Sequence, residues 1–103
     1  MKPRILAHLK MKPWGHPDSR NAPFTEGYRQ YFLPAGSSEP LAVTAVACPG
    51  PVAPGDHADV EFEFDYPAKL DYGPLAVGTE FVLLEGKRPV ATGTVLQRID
   101  QAP

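Results

Sequence analysis

Apolar residues recur at every second position along much of this chain, and the runs in which they do so are short and bounded by proline or glycine. That pattern predicts β-strands joined by turns. The clearest case is His57 to Tyr66, where Val60, Phe62, Phe64 and Tyr66 alternate with Glu61, Glu63 and Asp65. It reads as a strand with an aromatic core face and an acidic solvent face. Arg4 to Lys12 alternates as well, with Ile5, Ala7, Leu9 and Met11 on one side, Leu6, His8, Lys10 and Lys12 on the other, and Pro13 as its end. Leu41 to Cys48 carries small apolar residues on both sides, which suits a tight interior. Thr79 to Ile99 reads as a hairpin. Phe81 to Leu84 and Val90 to Leu96 flank Glu85-Gly86-Lys87-Arg88, and Gly86 can supply the positive φ that a tight turn needs. Both faces of its first arm are apolar, which places it in a closed barrel or sandwich. Gly93 in the second arm predicts a bulge or the close approach of another strand. The fold class is all-β without a substantial helix, and Val60, Phe62, Phe64, Phe81, Leu83 and Val95 are expected in the core.

Length and composition narrow the picture. At 103 residues the chain is expected to be one domain, able to bury about two-thirds of its unfolded surface. Thirteen prolines and nine glycines fit many short strands and turns. Hydrophobic residues are 43% and charged residues 21%, ordinary for a globular protein and too apolar for a disordered one. A formal net charge of −2 argues against strong nucleic-acid binding, which usually shows a basic surplus. There is no long apolar run and no signal-peptide pattern after Met1-Lys2-Pro3-Arg4, so a cytoplasmic protein without membrane contact is expected. The single cysteine, Cys48, fits a reducing compartment and is expected to be a small buried hydrophobe. The first strand begins four residues from Met1, and no Gly-x-x-x-x-Gly-Lys phosphate loop occurs. Nucleotide binding by this chain alone is therefore not expected.

Candidate chemistry is sparse. His8, His16, His57 and Cys48 lack ligand spacing such as C-x-x-C or H-x-x-x-H, so no metal or other cofactor is expected. Glu61, Glu63 and Asp65 on one strand face are what a solvated face looks like, and no nucleophile can be matched with a base. The expectation is a protein that is not an enzyme. Trp14, Tyr28, Tyr31 and Phe32 could stack on bases. The alternative places Tyr28 and Phe32 inside a barrel as plugs, with Trp14 packed over an open end.

Three motifs, in order, carry a resemblance. Arg20, Pro23, Phe24, Gly27, Tyr28, Arg29 and Gln30 follow a Gly-Arg-His-Thr loop and Pro-Phe-Phe-x-Gly-Tyr-Arg-Pro-Gln run; Val52-Ala53-Pro54-Gly55-Asp56 follows a Val-Met-Pro-Gly-Asp turn; and Glu85, Gly86, Arg88, Val90 and Gly93 follow a Glu-Gly-Gly-Arg hairpin. Together they resemble the third, C-terminal β-barrel domain of translation elongation factor Tu, over roughly Arg4 to Ile99. The departures are Asn21 in place of a histidine, Glu26 in place of a basic or small residue, a missing proline between Arg29 and Gln30, and an enlarged loop from Leu70 to Gly78.

The resemblance implies a closed six-stranded antiparallel barrel. It also implies a site, because in that family this barrel helps to hold the T-stem of aminoacyl-tRNA and packs against the GTPase domain and the exchange factor. By that carry-over the RNA-binding residues are Arg20, Asn21, Gln30, Glu85, Gly86 and Arg88. Arginine and glutamine contact phosphate and sugar oxygens, and a glycine turn lets backbone N–H groups approach closely. The other reading of the same residues is solvated loop charges around an ordinary turn. The first functional expectation is a binding module contacting tRNA or a translation GTPase. The second is a protein–protein interaction module that has lost RNA contact.

Overall fold

The computed structural model describes residues 2–99. Those residues form six strands and no helix: β1 (Arg4–Met11), β2 (Arg29–Pro34), β3 (Leu41–Ala47), β4 (His57–Phe64), β5 (Glu80–Glu85) and β6 (Arg88–Ile99). They close into a barrel in the order β1-β4-β3-β2-β5-β6, with every neighbouring pair antiparallel. Closure leaves no edge strand to satisfy. The expected six-stranded antiparallel barrel is what the chain forms.

Alternation decides which side chains enter. Ile5, Ala7, Leu9 and Met11 of β1, Val60, Phe62 and Phe64 of β4, and Phe81 and Leu83 of β5 all point inward and are buried, as is Val95 of β6. Phe32 is the hub, with its ring 4.0 Å from Phe81 and 4.7 Å from Phe62 between centroids. A barrel of this size is filled by such side chains and leaves no channel. Three bulges adjust the walls. Ala45 and Ala47 pair with successive residues of β4, leaving Val46 over; Leu83 and Leu84 skip Val90; Leu6 and Ala7 skip Leu96. The bulge at Val90 explains why Val90 and its neighbour Ala91 are both buried.

Alternation fails at the end of β4. The sequence pattern puts Tyr66 in the core and Asp65 in water, and the structure reverses both: Asp65 is 8% exposed and Tyr66 is 42% exposed. The reason is that the strand stops at Phe64. The Asp65 N–H donates to Ala42 O (3.1 Å), and its carboxylate accepts from Thr44 Oγ1 (2.7 Å) and Arg29 Nε (2.9 Å). Those partners repay the burial of the charge.

The enlarged loop that follows lacks strands, as expected, yet it is a cap and not a flap. Tyr72 and Leu75 are buried beneath it. Tyr72 stacks on Phe64 at 4.2 Å, donates its hydroxyl to Ala42 O (2.7 Å) and accepts from the Tyr66 N–H (3.2 Å). Arg98 binds the carbonyls of Tyr72 and Leu75, 3.2 Å each. The opposite barrel end is closed by Phe24 and Val52, which exchange two backbone hydrogen bonds, and by Tyr28 stacked on Phe24 at 4.3 Å.

Two further expectations need correction. Trp14 does not pack over an open end, because Phe24 and Val52 already fill that place, and it stands 58% exposed. Cys48 lies beyond the end of β3 and is only half-buried against the core. Burial and the nearby Glu26 carboxylate both push its thiol up, so it stays protonated at neutral pH.

Candidate functional site: the barrel end around the β5–β6 tip

The β5–β6 turn has two residues, Gly86 and Lys87, between the paired Glu85 and Arg88. Gly86 has φ of 65°, and no other residue type in the described chain has positive φ. Positive φ at the first turn position matches the right-handed strand twist, so the tip is short and stiff. The β1–β2 and β3–β4 loops end at the same side of the barrel. Lys12 ties them together, its N–H on Val90 O (3.0 Å) and its carbonyl accepting from Gly55 (3.0 Å).

Glu85 is the centre of this end. Its Oε2 accepts from an Arg20 terminal nitrogen and from the Tyr28 hydroxyl (2.8 Å), and its Oε1 accepts from Arg88 (3.2 Å). The Arg20 guanidinium also lies 4.5 Å from the centre of the Tyr28 ring and donates Nε–H to Ala22 O (3.1 Å). Burial works to raise the Glu85 carboxyl, but the Tyr28 hydrogen bond and the charges of Arg20 and Arg88 outweigh it and hold it below the usual carboxylate range. Burial and the bond to Glu85 push the Tyr28 hydroxyl far up, so Tyr28 stays a donor at any physiological pH.

The residues singled out by resemblance therefore separate into two groups. Arg20, Glu85, Gly86 and Arg88 meet, although they are up to 68 positions apart in sequence. Asn21 and Gln30 stand apart from them. Asn21 is exposed in the loop. Gln30 is half-buried on the face of β2 that carries Phe32, opposite Val43, and one step beyond the last β2–β5 pair, Tyr31 with Leu84. Among the described residues no hydrogen bond joins Gln30 to the Glu85 cluster.

Sequence reasoning missed Tyr28 as a member of this cluster, having assigned it to the core. It does both: the ring packs inward on Phe24 and the hydroxyl reaches Glu85. Glu26 also finds a structural use, accepting the Cys48 N–H at 2.7 Å. Its carboxyl is held down by the N–H groups of Glu26 itself and of Cys48.

Chemically the end offers cations matched to one carboxylate, an exposed indole at Trp14 and a glycine turn. No three His, Cys, Asp or Glu side chains are grouped to hold a metal among the described residues. No helix there is long and apolar enough to cross a membrane. No protein-family model matches the chain.

Proposed function

We propose that the protein is a non-catalytic binding module, of the kind implied by its resemblance to the third domain of elongation factor Tu. Its contact surface is the barrel end around the β5–β6 tip. Its partner is another protein, a translation-type GTPase in the first instance, in preference to tRNA. The observation that carries this reading is the gathering of Arg20, Arg88 and Tyr28 on Glu85. Two of the three tip cations already have an anionic partner, and only Lys87 among them makes no ion pair within the described residues. A phosphate backbone would have to compete with Glu85 for both arginines.

A protein partner asks for something different. Interfaces favour arginine, tyrosine and tryptophan, with charged pairs at the rim giving register more than affinity. The exposed Trp14 supplies an aromatic anchor at this same barrel end, and the held arginines supply a preorganised rim. The formal net charge of −2 supports the same choice.

The test is capture from cell extract on immobilised wild type and on Trp14→Ala/Lys87→Glu, each with and without RNase. The expected result is a bound protein that survives RNase and is lost with the double variant. Release of everything by RNase, or equal capture by the variant, contradicts the reading.

A further inference from the structure

The outer wall of the barrel carries a trough of about 340 Å³ that runs across β1, β6, β5 and β2, away from the tip. Gly93 lies in its floor. A Cβ there would stand 2.5 Å from Phe81 Cζ and 2.8 Å from the backbone oxygen of His8, so the β6 backbone sits deeper in the wall than any residue with a side chain allows.

The register fixes what surrounds the hollow. His8 faces Thr94 and Lys10 faces Thr92 across the β1–β6 ladder, so two basic groups and two hydroxyls form a block on one face. Opposite pairs lie about 5 Å apart and alternate residues about 7 Å apart. Three donors at that spacing, the Lys10 ammonium and the Thr92 and Thr94 hydroxyls, can converge on one tetrahedral oxyanion, and a protonated imidazole at His8 would add a fourth. His8 donates Nδ1–H to Asp59 (2.7 Å), which leaves Nε2 as its other hydrogen-bonding atom. Lys10 makes no ion pair among the described residues and is exposed. Its ammonium is the group most available to an incoming anion.

The far side of the trough differs. Thr94 faces Glu80, Thr92 faces Val82, and Val82 faces Leu33. An acceptor and an aliphatic shelf thus follow the block that carries Lys10. Glu80 repels a second anion and accepts hydroxyl protons, while the shelf suits the C–H face of a carbon skeleton. The volume is at the small end for organic ligands and too small for a folded partner.

We propose that this trough binds a small phosphate ester bearing hydroxyl groups, a sugar phosphate in chemical class. The phosphate sits among His8, Lys10, Thr92 and Thr94, and the sugar hydroxyls point toward Glu80. The trough shares no lining residue with the Glu85 cluster, and the proposal is independent of the partner assigned to the tip.

The experiment is an NMR titration of the ¹⁵N-labelled chain with glucose 6-phosphate, inorganic phosphate and glucose. The expected result is saturable shifts centred on the amides of Lys10, Thr92 and Thr94, with the ester bound about tenfold more tightly than inorganic phosphate and glucose inert. Lys10→Gln and Thr92→Val, both at exposed positions, should keep the wild-type spectrum elsewhere and weaken the ester about tenfold. Absence of saturable shifts at millimolar ester, shifts centred elsewhere, equal affinity for phosphate and ester, or unchanged affinity in Lys10→Gln overturns the proposal.

Discussion

Gly93 and Glu85 show how much can rest on one position. At Gly93 the conflict facing an added methyl group includes a backbone oxygen, which cannot rotate away as a side chain can. Gly93→Ala should therefore cost at least the roughly 1–3 kcal/mol typical of overpacking, measured as a shift in the urea midpoint. A stability equal to wild type would show that the strand is free to move outward. Glu85 links the tip to pH. Its folded carboxyl titrates below the ordinary value of 4.5, so its contribution is present above that pH and is lost as pH falls through the lower folded value. Wild type should lose thermal stability more steeply than Glu85→Gln below about pH 4.5. Parallel curves would mean that the three donors do not hold the charged form. The sequence already pointed to Gly93, because glycine inside a β-branched strand has few other uses. It could not show Glu85 as a meeting point, since Arg20 and Tyr28 reach it from another loop.

Among the elements, the segment between β4 and β5 departs furthest from its sequence pattern. Read by period two, Tyr66 belongs inside and Leu70 to Gly78 is surplus loop. In the structure the strand ends two residues earlier, Asp65 turns in to Thr44 and Arg29, and Tyr72 with Leu75 caps the barrel. Periodicity cannot reveal such a change, because the residues that stop the strand act through partners on β2 and β3. Leu75→Ala should cost about 2–5 kcal/mol, as for other fully buried leucines, and should make this segment the first site of limited proteolysis. Tyr72→Phe should cost about 1–3 kcal/mol, since it removes two hydrogen bonds worth about 1 kcal/mol each while the stack on Phe64 remains. Cleavage of the Leu75→Ala variant at the β1–β2 loop instead would show that the cap is not what Leu75 holds. The strands themselves were legible because each buries one regular face.

For the whole molecule, closure of the barrel is what gives separate loops a common surface. All six strands are antiparallel and β1 pairs with both β4 and β6, so Arg20, Trp14 and the β5–β6 tip share one end while the Gly93 trough lies on the wall. The partner depends on how the tip charges are used. In the tRNA reading Glu85 is a contact, whereas in the protein reading it neutralises Arg20 and Arg88. Fluorescence titration of labelled tRNA into wild type and Glu85→Gln across a salt series separates the two most directly. With Lys87 alone available, wild type should bind weakly, with a log–log salt slope of about −1. Glu85→Gln frees both arginines and should bind more tightly, with a slope near −3. Tight binding by wild type at a slope near −3, weakened by Glu85→Gln, would contradict the protein-binding reading.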